Sequence, residues 1–159
     1  MIEPKVVKRF NLDKTTFIIP LRIETADRMR NIVTTLIYLT RNFDTTIILK
    51  EVDKESIYER EVLPLLKQAL KPEMLSCIHH IFEKSDEFTF HRTKILNDML
   101  WMVETPVVAN YDSDIILPIE SYINATNMIA KGWVHPDAKN GEPVKIIYPY
   151  GHGNYQYQC

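Results

Sequence analysis

Apolar residues along the chain form two alternating patterns, namely short continuous runs and longer stretches with helical spacing. The short runs are rich in β-branched residues and end at proline or polar residues, which is typical of buried strands. Four of them are predicted strands: Thr15–Pro20, Thr45–Leu49, Ser76–Phe82 and Pro106–Tyr111. The helical stretches predict four helices: one capped by Thr25 or Asp27, Tyr58–Leu70 with either a first turn or a break at Pro64, about Thr93–Glu104, and Pro118–Lys131 ended by Gly132. Lys145–Tyr148 is a further candidate strand.

Strands and helices that alternate in this order predict an α/β fold, a mainly parallel open sheet with helices on both faces. We expect residues 1–14 to be a leader, residues 15–134 to form the α/β domain, and residues 135–159 to hold a loop, the last strand and a tail. Ligands of such sheets bind at the carboxyl ends of the strands. The polar groups that follow predicted strands are Pro20-Leu21-Arg22, Glu51-Val52-Asp53 and Asp112-Ser113-Asp114.

Composition narrows the class of protein without identifying it. The chain has 159 residues, 45% hydrophobic and 25% charged, as in a soluble globular domain. A net charge of −2 argues against a nucleic-acid binder, which would carry a basic surface. No apolar run approaches the roughly 18 to 20 residues of a membrane span, and the N-terminus lacks the apolar core of a secretory signal. Cys77 and Cys159 form no disulfide framework, so we expect a reduced, cytoplasmic protein.

Two acidic residues, Asp112 and Asp114, follow the predicted strand Pro106–Tyr111. In an extended chain, positions i and i+2 face the same side, with Cα atoms roughly 6.5 Å apart. Carboxylates at that spacing suit Mn²⁺ or Mg²⁺, with the remaining coordination sites left for phosphate oxygens. The pair therefore predicts a metal site, and a solvated loop or a helix cap is the alternative.

Histidines and tyrosines add weaker signals. His79-His80 within an apolar run predicts one buried, hydrogen-bonded imidazole and one exposed imidazole. His152 is either a third metal ligand or part of a flexible tail. The late tyrosines could stack on a sugar ring or form a strand edge; they are Tyr148, Tyr150, Tyr155 and Tyr157.

Three segments occur in the order found in a known enzyme family. Ile18-Ile19-Pro20-Leu21-Arg22 before a helix resembles the first strand of GT-A-type glycosyltransferases. Phe90–Asn97 is similar to the Phe-x-Arg-x-Lys-x-x-Asn segment of the β-1,4-galactosyltransferases and their chondroitin-synthesising relatives. Asp112–Pro118 stands where that family has a D-x-D followed by apolar residues and proline. The resemblance covers about Phe17 to Pro118 and implies a GT-A-like nucleotide-sugar-binding fold.

The resemblance implies a role for each matching residue near the first two strands. Pro20 and Arg22 would flank the nucleotide, with Arg22 reaching the diphosphate or the ribose. Asp53, or Glu51 beside it, would contact the base at the end of the second strand.

Further roles follow for the later segments. Phe90 and Arg92 would line the base pocket, and Asn97 would contact the backbone or a sugar. Asp114 would bind Mn²⁺ or Mg²⁺ directly, and Asp112 would reach the ribose or the metal shell.

Ordinary structural interpretations compete with these roles. Arg22 would be a surface cation at a strand end, and Phe90 would be a hydrophobic staple on the first turn of a helix. Arg92 would pair with Asp86 or Glu87 to anchor that helix, and Asn97 would be a helix-surface amide.

The chain departs from the family in ways that bear on catalysis. Glu24 replaces a second arginine, Met99 replaces a glycine, and no Trp-Gly-rich segment with paired acidic residues follows Asp114. In the family that later segment holds the acceptor and the catalytic base. No base can therefore be assigned, since Glu120, Asp137 and Glu142 match no family motif.

The resemblance implies the donor-binding domain of a metal-dependent glycosyltransferase. It would transfer a sugar from a nucleotide sugar, UDP-linked by family preference, to an unknown glycan acceptor, and it would belong to a longer chain or take its acceptor site from elsewhere. A nucleotide-sugar-binding module without turnover is the alternative. A nucleotidyltransferase of similar fold is disfavoured, because such an enzyme should carry a glycine-rich phosphate loop after its first strand and no glycine precedes Gly132.

Overall fold

The computed structural model describes residues 8–149 and contains an α/β fold. Its strands are β1 (Phe10–Leu21), β2 (Phe43–Asp53), β3 (Ile78–Lys84) and β4 (Val107–Asn110). Its helices are α1 (Ala26–Asn42), α2 (Leu63–Ala69), α3 (Pro72–Leu75), α4 (Arg92–Leu100) and α5 (Ile119–Ala130). A π-helical turn, Tyr58–Val62, leads directly into α2. Within the described part of the chain, no helix has the length and hydrophobicity that a membrane span requires.

All four strands are parallel, in the spatial order β3-β2-β1-β4. The chain moves from β1 through β2 to β3 in one direction and then crosses back past β1 to β4. Because such crossovers are right-handed, α1 and α2 lie on one face of the sheet and α4 lies on the other. The direction of winding changes between β1 and β4, so the carboxyl ends of these two strands form the topological switch point. The predicted α/β fold with a parallel sheet is confirmed.

Both faces of the sheet are buried, which explains why β1 and β2 are continuous apolar runs. On one face, Ile18, Ile48 and Val52 pack with Ile95 and Met99 of α4, and Phe90 packs against the same cluster. The opposite face of the sheet carries the alternate side chains of β1, which are the buried Phe17, Ile19 and Leu21. Helix α1 contacts β2 and buries one side of its own, with Ile32, Leu36 and Leu39. Each such side chain contributes roughly 1.5 to 3 kcal/mol by leaving water.

Local chemistry sets the bounds of the first two helices. The Thr25 hydroxyl accepts a hydrogen bond from the Arg28 amide at 3.2 Å, so Thr25 is the N-cap of α1, one of the two expected. Pro64 lies in the first turn of α2, as predicted from its missing amide hydrogen. The π-helical turn Tyr58–Val62 directly precedes α2, and at its end the Leu63 amide donates to the Tyr58 carbonyl.

The described chain forms two compact units, one that ends at Ile116 and one that begins at Leu117. In the second unit, α5 starts after Pro118, and Gly132 follows it with a φ of 64°, a conformation that glycine adopts without strain. One antiparallel bridge joins Val134 to Pro143.

The predicted strand Lys145–Tyr148 is wrong. Pairing in this region reaches only to the hydrogen bond from the Val144 amide to the Trp133 carbonyl. Beyond it, Ile146 and Tyr148 are 72% and 77% exposed, so neither a hydrogen-bonded ladder nor burial holds an extended chain there. The residues His152, Tyr150, Tyr155 and Tyr157 lie outside the described residues.

Candidate functional site at the carboxyl edge of the sheet

Arg22 follows β1 directly and is only 7% exposed. Its Nε donates to the Val52 carbonyl at 2.9 Å, and one terminal nitrogen donates to the Phe88 carbonyl at 2.9 Å. The guanidinium carbon also lies 5.3 Å from the centre of the Phe90 ring. The interpretation of Arg22 as a surface cation is therefore wrong. Pro20, two residues earlier, is buried within β1 and pairs in register with Lys50 of β2.

Phe90 lies in the loop between β3 and α4 and is half-buried against the cluster beneath α4. One side of the ring meets the Arg22 guanidinium, and the ring also contacts the apolar cluster. The Phe90 carbonyl accepts a hydrogen bond from the Arg92 amide at 2.9 Å, so Phe90 and the start of α4 are held together. Phe90 thus combines a packing role with a position beside a buried cation.

Arg92 begins α4 and forms an ion pair with Asp112, just beyond β4. The same nitrogen lies 3.5 Å from the Asn110 side-chain oxygen. Arg92 therefore pairs across the switch point, and its expected alternative partners, Asp86 and Glu87, are not the ones it takes. Both side chains of the pair are about half-exposed, so the pair is accessible from solvent.

The prediction that Asp112 and Asp114 lie in an extended chain, with both carboxylates on one side, is wrong. Strand β4 stops at Asn110, the Tyr111 amide donates to the Ile18 carbonyl at 3.1 Å, and Ser113 and Asp114 form a turn. The Thr35 hydroxyl of α1 donates to the Ser113 carbonyl at 2.8 Å, which pulls the loop toward α1. A turn removes the strict alternation of a strand, so the two carboxylates are not positioned by the pleat.

The two carboxylates also differ in their partners. Asp112 is paired with Arg92, whereas Asp114 is exposed and has no ion-pair or hydrogen-bond partner among residues 8–149. At the end of β2, the Asp53 carboxylate accepts a hydrogen bond from the Lys54 amide at 2.8 Å. Asp53 is half-buried at the same edge of the sheet.

Asn97 does not join these residues. It is exposed on α4, and it lies two positions, or about 200° around the helix, from the buried Ile95. The structure therefore favours the helix-surface amide among the two interpretations.

Glu51 is fully buried, and its surroundings show why it is not available to a ligand. Its oxygens accept hydrogen bonds from the Ser56 hydroxyl at 2.6 Å and from the Ile57 and Tyr58 amides at 2.9 and 3.0 Å. His80 Nε2 lies 3.1 Å away. Burial by itself would raise the pKa of Glu51, but the hydrogen bonds from His80, Ser56 and Tyr58 outweigh it and leave that pKa lowered. The carboxylate thus anchors the π-helical turn to the sheet.

His80 stacks on the Tyr58 ring, with centres 4.1 Å apart, while His79 is exposed. One imidazole is hydrogen-bonded and the other is exposed, as predicted, but His80 is partly rather than fully buried, with 10% of its side chain exposed. The sequence analysis missed the partner, although Glu51 lies in the apolar run of β2, where an unpaired carboxylate would be costly.

A second missed cluster lies under α4. Lys50 is buried in β2, and its Nζ pairs with Glu83 at 2.8 Å and with Asp98 at 3.2 Å. Burial lowers the pKa of Lys50, but the two carboxylates more than compensate and raise it above the ordinary value. A lysine within an apolar strand was the available signal, since such a cation needs partners from neighbouring elements.

The switch point holds few side chains that could bind a metal ion. No group of three metal-ligating side chains occurs among the described residues. Magnesium is usually held by one or two carboxylates together with substrate phosphates. Asp114, which is exposed and has no partner among residues 8–149, is a carboxylate of that kind, whereas Asp112 is paired with Arg92. Comparison of the sequence with protein-family models and with curated proteins gives no match.

Proposed function

We propose that the chain is the donor-binding domain of a metal-dependent glycosyltransferase that uses a UDP-linked sugar and an unknown glycan acceptor. One observation carries the proposal: residues from all three resembling segments meet at the carboxyl edge of the sheet. Arg22 contacts Phe90, the Phe90 carbonyl is bonded to the Arg92 amide, and Arg92 pairs with Asp112. Parallel sheets bind ligands at such a switch point.

Each charged group would then have a defined task. Asp114, which is exposed and unpaired within residues 8–149, and Asp112 would hold Mn²⁺ or Mg²⁺. When bound, the ion would neutralise the charge that develops on the leaving diphosphate. Arg92 is half-exposed beside Asp112, so its guanidinium can reach a phosphate group and stabilise the same charge.

Calorimetry of UDP binding in the presence of Mn²⁺ tests this proposal. We expect Asp114→Ala to weaken UDP binding by about tenfold or more, because a metal ligand is lost. Asp13→Ala is the matched control, since Asp13 is an exposed aspartate near the opposite end of β1 and should leave binding unchanged. Absence of UDP binding to the parent protein, or equal binding by the parent and Asp114→Ala, would refute the proposal.

A binding module without turnover is the second candidate. It is favoured by the state of two acidic residues at this edge, since Asp112 is paired with Arg92 and Glu51 is buried and hydrogen-bonded. Neither is free to act as a general base toward an acceptor. An assay of UDP-sugar hydrolysis separates the two candidates, because a transferase releases some sugar to water whereas a module that binds UDP releases none. The cytoplasmic location that we propose agrees with the free thiol of Cys77.

A further inference from the structure

Arg22 links three segments that are far apart in sequence. It follows β1, it donates to the Val52 carbonyl near the end of β2, and it donates to the Phe88 carbonyl in the loop between β3 and α4, both at 2.9 Å. The guanidinium also faces the Phe90 ring at 5.3 Å. The Nε, one terminal nitrogen and one face of the guanidinium therefore contact the protein itself.

The loop that Arg22 holds has little packing of its own in its middle. The Phe88 side chain is 99% exposed, and the residues from Ser85 to His91 form neither helix nor strand. At its start, the Ser85 amide donates to the Asp53 carbonyl at 2.9 Å. The bond from Arg22 to the Phe88 carbonyl then ties the centre of the loop to the sheet, two residues before Phe90.

Arg22 and Arg92 differ in how readily each can turn toward a ligand, because Arg22 is buried and Arg92 is half-exposed. Arg22 is 7% exposed, and turning it toward a phosphate in solvent would draw its Nε and one terminal nitrogen away from two carbonyls and its face away from an aromatic ring. Hydrogen bonds from a charged donor to buried carbonyls are among the more costly ones to break. The half-exposed Arg92, in contrast, can leave Asp112 and turn toward a ligand, because both side chains of that pair are accessible to solvent.

We infer that Arg22 is a positioning residue, which fixes Phe90 and the first turn of α4 so that they form the pocket for the nucleoside, and that it does not contact the diphosphate. This inference rests on the proposed function. It assigns to Arg22 an effect on nucleoside binding that is independent of phosphate charge. Phe90 and Arg92 are the residues through which the effect is transmitted.

Arg22→Lys tests the inference, because lysine keeps the charge but cannot donate in a planar fork to two carbonyls. We expect the variant to bind uridine and UDP with Mn²⁺ more weakly than the parent by the same factor, about tenfold for each. A loss confined to UDP, with uridine affinity unchanged, would mean that Arg22 contacts the phosphates and would overturn the inference. Titrations followed by NMR and by calorimetry measure the two affinities.

Hydrogen exchange provides a readout that needs no ligand. We expect amides between Glu87 and Arg92 to exchange faster in Arg22→Lys, and unchanged exchange there would overturn the inference. Arg9→Lys is the matched control, because Arg9 also donates to two carbonyls, those of Thr40 and Phe43, but near the amino end of the sheet. If the parent binds neither uridine nor UDP, the proposed function fails, while the exchange rates still decide the role of Arg22.

Phe90→Leu covers the case in which Arg22→Lys does not fold. It leaves the two hydrogen bonds of Arg22 in place and removes the ring that the guanidinium faces. We expect weaker binding of uridine by the Phe90→Leu variant. If its uridine affinity equals that of the parent, Arg22 has no ring to position and the inference is overturned.

Discussion

The substitution Glu51→Gln should destabilise the protein strongly, although it replaces a single oxygen. Glu51 is fully buried and receives hydrogen bonds from the Ser56 hydroxyl, from two amides at the start of the π-helical turn, and from His80. A glutamine keeps one acceptor oxygen but turns an amide group, which only donates, toward donors. At least one buried donor therefore loses its acceptor, and the remaining bonds lose their charge.

The magnitude follows from these contacts. An unsatisfied buried donor costs about 1 to 3 kcal/mol, and a hydrogen bond to a charged group contributes about 1.5 to 3 kcal/mol. We expect the free energy of unfolding to fall by about 3 kcal/mol, which for a chain of this size lowers Tm by roughly 6 to 12 °C.

Urea unfolding followed by circular dichroism measures this change. Glu59→Gln is the matched control, because Glu59 is exposed and its carboxylate lies 3.9 Å from the other nitrogen of His80. That control should change the free energy of unfolding by less than about 0.5 kcal/mol, as for other solvent-exposed charges. A Glu51→Gln protein as stable as the control would refute the anchoring role of Glu51.

The effect of pH on the same variant follows from the lowered pKa of Glu51. A carboxyl group whose pKa is lower in the folded state contributes stability above the pKa of the unfolded chain, and it loses this as pH falls through the folded value. The difference between the parent and Glu51→Gln should therefore be complete at pH 7 and should shrink below the ordinary value of 4.5. A difference that stays constant down to pH 3 would contradict the assignment of a buried, ionised Glu51.

Two further predictions concern the switch point and the second unit. In the absence of nucleotide, Arg92→Gln should bind Mn²⁺ about threefold more tightly than the parent, because Asp112 loses its partner. The same variant should bind UDP more weakly, because the guanidinium that we propose for the phosphate is lost. Calorimetry measures both, and weaker Mn²⁺ binding would contradict the pairing. Gly132→Ala should lower the free energy of unfolding by about 1 kcal/mol, because a φ of 64° strains an alanine. A steric clash is not the cause, since the atom nearest to the added Cβ lies 3.8 Å away. Calorimetric melting measures this change, and no loss would contradict the strain argument.

Much of the fold could be predicted from the periodicity of apolar residues. The runs at Thr15–Pro20 and Thr45–Leu49 became the centres of β1 and β2, and both strands extend further at their ends. The amino end of β1 was missed because Phe10 and Asn11 pair with Phe43 and Asp44. Pairing of this kind depends on the neighbouring strand, so a pattern within one segment does not contain it.

The partners of the charged side chains, unlike the strands, could not be predicted from the sequence. The sequence predicted which edge of the sheet carries Arg22 and Asp112, but not which partner each one takes. Arg92 and Asp112 are separated by 20 residues, and Lys50 and Asp98 by 48. Such pairs form only when the order of the strands brings two elements together, and alternation of strands and helices leaves that order open.

The strand order explains why the charges concentrate between β1 and β4. Helix α1 leaves β1 toward one face, and α4 reaches β4 from the other, so no crossover covers the carboxyl ends of these two strands. The loop after β4 is tied to both sides, through Thr35 of α1 to the Ser113 carbonyl and through Arg92 of α4 to Asp112. Asp114 follows Ser113, and its side chain takes part in neither of these two contacts. The same winding that closes the core on both faces thus leaves one carboxylate exposed at the open edge, without a partner among residues 8–149 and outside the packed core.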